Sequence, residues 1–259
     1  MIYFEIAKFQ FLRFLTYPLE ILTSVLKRLV DTAFLIVLWS IIIKNTSGLI
    51  TLPEIVSYFL LASGIEEIVM AHWGFLGDYL GWRIKLGKFS NYLLKPVSII
   101  PQLYASAIGR NGMRVILAIV SIIAGIIIHP PQNSLSVALF LVFFITALFT
   151  GLAYNIILGT MYFHFVDASG VKNAISHMSR LLSGAMVPIY LFPENFKNLI
   201  LLTPFPGMVY GPVNALKTNQ LNQEVIVQLF VIIFWMLILN VGAYLFWNQS
   251  IKKYEAVGT

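Results

Sequence analysis

From Val115 to Val166 the chain runs for 52 residues without Asp, Glu, Lys or Arg. Crossing a bilayer as a helix takes about 20 predominantly apolar residues, so this run is long enough for two crossings. His129-Pro130-Pro131-Gln132-Asn133-Ser134 divides it, which predicts a helix–turn–helix pair over residues 107–128 and 135–162. Barrel strands alternate apolar and polar residues, and these runs do not; in lipid the backbone must then be satisfied within helices. The rest of the chain agrees: 59% of residues are hydrophobic and 11% charged, with mean hydropathy +0.84, whereas about a quarter of residues in soluble domains are charged. The expected fold class is all-α, a polytopic membrane protein.

Further spans are predicted over residues 26–43, 53–75, 173–192 and 225–247, six in all. Ahead of them, Glu5, Lys8, Arg13, Thr16 and Glu20 fall within an arc of about 140° at helical spacing, with Ile2, Ile6, Phe9 and Phe14 mostly outside it. This pattern predicts an amphipathic helix lying in the interface over residues 1–18, ended near Pro18. Charges interrupt what would be the apolar core of a signal peptide, so no removable one is expected. Residues 193–216 are apolar, but Pro193, Pro204, Pro206, Gly207, Gly211 and Pro212 break them; the expectation is an outer re-entrant segment, 193–223 with its flank, sheltered by protein. With six spans and both termini inside, fourteen Lys and Arg lie on inner segments and three, Lys44, Lys197 and Lys217, on outer ones. That satisfies the positive-inside rule and predicts a cytoplasmic membrane location.

The net charge of +6 therefore reads as membrane orientation and not as nucleic-acid binding. With no cysteine, disulfides, thiol catalysis and Cys-based metal sites are excluded. The scattered histidines His72, His129 and His164 suggest no metal site, and no nucleophile–base arrangement stands out. Gly81-Trp82-Arg83-Ile84-Lys85-Leu86-Gly87-Lys88-Phe89 is close to a phosphate-binding loop but fails it. Five residues separate the glycines where four are required, and Phe89 stands where a Ser or Thr must hold magnesium. This chain is expected to bind no nucleotide or cofactor itself.

That same stretch belongs to the longest polar interruption, residues 77–98, where Arg83, Lys85, Lys88 and Lys95 face one acid, Asp78. Two readings are open. The cations would steer a partner while Trp82, Phe89, Tyr92, Leu93 and Leu94 anchor it, or the loop simply obeys the charge rule and touches lipid headgroups. Pro96 ends any short helix there. On the fourth predicted span Ala147, Gly151, Asn155 and Gly159 recur every four residues, a small-residue face suited to close helix packing, with a pore-lining role as the alternative.

Ile84 through Ser98, with Gly87-Lys88 and Leu93-Leu94-Lys95-Pro96, resembles the cytoplasmic loop of the type-2 ATP-binding-cassette export permeases, in particular the short six-span branch encoded apart from its ATPase. Ser183-Gly184-Ala185-Met186-Val187-Pro188, Pro193-Glu194-Asn195-Phe196 and Leu202-Thr203-Pro204-Phe205-Pro206 resemble that family's end of span 5 and outer re-entrant segment. The resemblance implies that residues 76–104 form a coupling loop seated on an ATPase, with Arg83, Lys85, Gly87, Lys88, Tyr92, Leu93, Leu94, Lys95 and Pro96 at the contact. It also implies two ATPase subunits holding ATP and magnesium, and a second six-span permease of the same or a related kind.

Charged side chains within a span cost on the order of 3 kcal/mol or more and usually meet a partner or water. Glu66 and Glu67 lie inside the second predicted span. A structural pairing, with Arg110 or Arg114 suggested, competes with contact to a cationic cargo and with a proton relay. Being adjacent, they point about 100° apart and are not expected to line one groove. Asn155 joins them as a residue of a possible cargo or coupling path. The rival to an ATP-driven exporter is a proton-coupled secondary carrier using Glu66, Glu67 and Asp31; an intramembrane enzyme lacks a polar constellation.

Overall fold

The computed structural model describes residues 2–44, 51–70, 76–165, 168–218, 220–252 and 254. The expected close of the first span at residues 45–48, the last residues of the second, His72, Asp167 and Lys253 lie outside the described residues. In chain order the helices are α1 (Ile2–Leu15), α2 (Pro18–Lys44), α3 (Leu52–Val69), α4 (Leu76–Lys85), α5 (Ser90–Leu93), α6 (Ile99–Arg110), α7 (Gly112–Ile128), α8 (Ser134–Thr160), α9 (Ser169–Leu182), α10 (Glu194–Leu201), α11 (Pro204–Met208), α12 (Tyr210–Lys217) and α13 (Gln223–Ile251). No strand occurs among the described residues.

The long helices start where their first-turn amides find acceptors. Asn133 Oδ1 accepts from the Ser136 amide at 2.8 Å to open α8, and Asn222 Oδ1 accepts from the Val225 amide at 2.9 Å to open α13. At α3 the Thr51 amide donates to Glu54 Oε2 at 3.0 Å; such contacts satisfy groups that the helix itself leaves open. Among the described residues, α8 with the turn after it (Ser134–Phe163) and α13 are long and apolar enough to cross a membrane. The pair α6 and α7 would make a third crossing, bent by 72° at its break. Exposed Phe230, Phe234, Leu237, Val241 and Tyr244 line the outside of α13, as a lipid-facing helix requires.

Two sequence expectations change here. The span expected over 173–192 stops at Leu182, because Gly184 adopts φ +87°, a left-handed conformation closed to most residues. The chain then turns through Pro188 and a tight turn at Ile189–Leu191. The polar interruption at 77–98 is also helical through Lys85, so its first half belongs to the bundle.

The core divides into two clusters that share α8. One gathers Tyr58, Phe59 and Ile65 of α3, Phe143 and Ala147 of α8, and Met208, Tyr210 and Val213 of α11 and α12. The other gathers Tyr79 and Leu80 of α4, Phe89, Tyr92 of α5, Leu103 of α6, Ala153 and Ile156 of α8, and Trp247 of α13. α1 buries no residue fully and is held against α6, its Ala7 backbone lying on Gly109 and its Phe11 ring on Gly112.

The interruption at 183–218 is tied into the first cluster by hydrogen bonds to its backbone. Tyr58 Oη donates to the Gly184 carbonyl at 2.7 Å, Trp39 Nε1 to Met186 at 2.9 Å, Trp235 Nε1 to Leu202 at 2.8 Å, and Ser136 Oγ to Thr218 at 2.6 Å. The Tyr210 amide donates to Ser183 O at 3.1 Å. These bonds supply partners that a proline-broken segment cannot find within itself.

Candidate functional sites

Two places carry chemistry: the basic loop at one end of the bundle and a set of charges inside it. In the loop, Phe89 is 0% exposed and sits edge-on to Phe163, Trp247 and Tyr254, with ring centroids 5.2, 6.1 and 5.0 Å away. Tyr92 stacks beside it, and its hydroxyl meets the Tyr79 hydroxyl at 2.8 Å. Arg83 Nη2 donates to the same Tyr79 oxygen at 3.0 Å. Burial, then the bond to Tyr79, pushes the Tyr92 phenol well above its ordinary value. Gly87 turns the chain between α4 and α5 at φ +67°.

This arrangement sorts the residues expected at a docking contact. Tyr92 points inward, as does Phe89, because both complete the aromatic cluster. Facing out are Trp82 (63% exposed), Leu86, Leu93 and Leu94 (83% exposed), with Lys85, Lys88, Lys95 and Pro96 exposed around them and Arg83 half-buried. Lys95 Nζ lies 5.8 Å from the Tyr92 ring centroid. Leu86, just before the Gly87 turn, is a further exposed leucine that sequence reasoning did not single out.

Inside the bundle, Glu67 Oε2 lies 3.1 Å from Arg28 Nη1, and Arg28 Nη2 donates to the Ser63 carbonyl at 2.9 Å. Glu66 Oε1 lies 2.8 Å from Arg180 Nε. These two arginines come from α2 and α9, and Arg114, suggested from the sequence, lines the same cavity as both carboxylates. Ionic groups taken out of water need such close opposite charge to offset their desolvation. The two carboxylates also line one cavity of about 50 Å³, together with Lys27, Asp31, Ser63 and Arg114, contrary to the expectation from helical spacing. Arg28 of α2 and Arg180 of α9 line that cavity as well, so it reaches both carboxylates.

Asn155, expected on a cargo or coupling path, is buried. Its amide donates to Gly151 O at 2.9 Å and Met70 O at 3.3 Å, serving a carbonyl at the C-terminal end of α3. Gly151 lets α8 approach that same end: a Cβ there would overlap the Val69 carbonyl. Ala147 is fully buried on the same side, and Gly159 lies against Leu80 and Gly77 of α4. Among the described residues no group of three or more His, Asp and Glu is placed to hold a metal.

An all-helical bundle with long apolar helices exposed on the outside, ion pairs within and an exposed basic loop defines a helical membrane protein. The chain belongs to the ABC-2 family: the family model described as ABC-2 family transporter protein matches residues 29–258. A comparison with curated proteins returns no match. Membership makes this a type-2 ATP-binding-cassette permease, a membrane subunit of a kind that works with a separate ATPase.

Proposed function

We propose that the chain is the transmembrane subunit of an ATP-driven exporter, moving an amphipathic or hydrophobic cargo outward by alternating access. In this reading it spans the inner membrane of a prokaryote six times, with both termini in the cytoplasm and residues 193–216 on the outer side without crossing. One ATPase, carrying ATP and magnesium, docks on the loop at residues 76–104, and a second permease of the same or a related kind with a second ATPase completes the assembly.

One observation carries the proposal. The loop is built as a platform, with its aromatic residues spent inward on Phe163, Trp247 and Tyr254 while Trp82, Leu86, Leu93 and Leu94 stay exposed beside Lys85, Lys88 and Lys95. A loop that only signalled topology would need the cations and not a folded support for exposed leucines. Pairing of Glu66 and Glu67 with Arg180 and Arg28 favours their structural reading over a proton relay. The test is copurification of a phosphate-loop ATPase with the tagged chain, followed by reversal of Arg83, Lys85 and Lys88 to Glu. Screening confines each charge to about 8–10 Å at physiological salt, so insertion should persist while ATPase recovery is lost. Undiminished recovery and export by the reversed loop would reject the proposal.

A further inference from the structure

One face of α2 changes character part-way along the helix. Glu20, Thr23, Ser24, Lys27, Arg28 and Asp31 recur at alternating steps of three and one, which places them on a single face, and every one of them lines a cavity. One turn further on, Leu35 and Trp39 carry that face into the first core cluster. On the other side of α2, Leu22, Leu26 and Leu29 are exposed. α9 is built the same way round: its buried residues are Lys172, Ser176 and Ser179, while Val171, Met178 and Leu181 stand exposed. Both helices turn polar residues inward and apolar ones outward, the reverse of a helix packed on a dry core in water.

The cavities behind those faces meet. One, of about 500 Å³, opens at the loop end among α1, α2, α4, α6, α7 and α9; the other is the smaller cavity of the ion pairs, and Ser24, Lys27 and Arg114 line both. On α9, Lys172 lines the first and Arg180 the second, with Ser176 midway on the same face. Lys27, Arg110 and Trp82 stand exposed at the rim. Ionisable side chains inside a membrane bundle face a partner or water, and a polar cavity of this size has room for roughly a dozen water molecules. Beyond the ion pairs the way is shut, because Ala62 and Ile65 of α3 are fully buried in the first core cluster.

We propose that the two cavities form one water-filled vestibule, entered from the loop end and closed at Arg28–Glu67 and Arg180–Glu66, through which small hydrophilic molecules reach the buried carboxylates. Its walls carry both signs of charge, Glu20 and Asp31 beside Lys27 and Arg110, so it admits cations and anions alike. On the export reading, the polar end of an amphipathic cargo would enter here; the vestibule itself rests only on the placement of the bundle in a membrane.

The chain has no cysteine, so introduced ones are read without background. Ser24→Cys, Ser176→Cys, Leu35→Cys and Met178→Cys are made in the full chain, with Lys88→Cys marking the loop side. Membrane vesicles of either orientation are treated with impermeant methanethiosulfonates, one cationic and one anionic. A thiol reacts as its thiolate, which water supports and apolar surroundings suppress. Ser24→Cys and Ser176→Cys should therefore react with both reagents, from the same side as Lys88→Cys and within about tenfold of its rate. Met178→Cys and Leu35→Cys should be slower by about a hundredfold or more, although Met178 is 62% exposed and Ser176 only 9%. Labelling after denaturation shows that each thiol is present. If Ser176→Cys fails to insert, Asn173→Cys, on the wall of the larger cavity, takes its place. Unreactive Ser24→Cys and Ser176→Cys, or reaction from the side opposite Lys88→Cys, would overturn the vestibule. Reaction at Leu35→Cys as fast as at Ser24→Cys would overturn its closure at the ion pairs, and reaction with one reagent only would overturn its indifference to charge. None of these readouts involves an ATPase, so their failure leaves the export reading standing.

Discussion

The chain breaks its apolar pattern at length in two places, and the two breaks fold in opposite ways. At residues 77–98 Tyr79, Phe89 and Tyr92 turn inward, and Trp82, Leu86, Leu93, Leu94 and the lysines are left outside. At residues 183–218 Met208, Val209, Tyr210, Val213 and Leu216 are all buried, and the broken backbone is held by side chains of α2, α3, α8 and α13. Both breaks contain glycine, proline and aromatic residues. What separates them is the source of their hydrogen bonds: the first joins its own Tyr79, Tyr92 and Arg83, with Ser90 reaching out to Tyr254, while the backbone of the second draws on Tyr58, Trp39, Trp235 and Ser136. A break that satisfies itself can present a surface. One that borrows its partners becomes core.

The strongest blow to this contrast is Phe89→Ala. Emptying a fully buried ring site costs about 3–5 kcal/mol, so thermal melting of the purified chain should fall sharply and the exposed leucines should lose their support together. A near-silent Phe89→Ala would mean that the aromatic cluster does not hold the loop.

Between the two breaks lie the buried charges. Arg28→Met should remove the Arg28–Glu67 ion pair, with a cost of about 3–5 kcal/mol. The double variant Arg28→Met with Glu67→Leu should recover a good part of it, because both charges of the pair are then gone from the bundle interior. Additive losses in that thermodynamic cycle would show that the pair is not coupled.

Tyr58→Phe probes the borrowed bonds. Leaving the Gly184 carbonyl without its donor should cost about 1–3 kcal/mol, with the loss centred on residues 183–191 in hydrogen exchange. Uniform loosening of the whole bundle would contradict that placement.

The smallest stability effect belongs to Leu93→Ala with Leu94→Ala. Both side chains are exposed, so melting should move by less than about 0.5 kcal/mol, while docking of the ATPase should weaken by about 1–3 kcal/mol. A large drop in melting would make these leucines structural and remove them from the docking surface.

How much of this was legible in the sequence follows from the range over which each signal acts. Hydrophobic run length, the His129–Ser134 turn, the four-residue recurrence of Ala147, Gly151 and Gly159 and the prolines of 193–212 are local patterns, and they determined the helical class, the place of α8 and α13 and the two breaks. The loop motif likewise marked the family. Helical spacing fixed that Glu66 and Glu67 diverge by about 100°, but it carries no information on what stands at either flank. Only the tertiary structure decided that α2 supplies Arg28 and α9 supplies Arg180, from positions 39 residues before one carboxylate and 114 after the other. The same limit hid the inward turn of Tyr92, whose partner Tyr79 is on another helix, and the role of Asn155 at the end of α3. Composition and periodicity report which residues seek burial or charge; which partner each finds depends on contacts between segments far apart in the chain, and those exist only in the folded bundle.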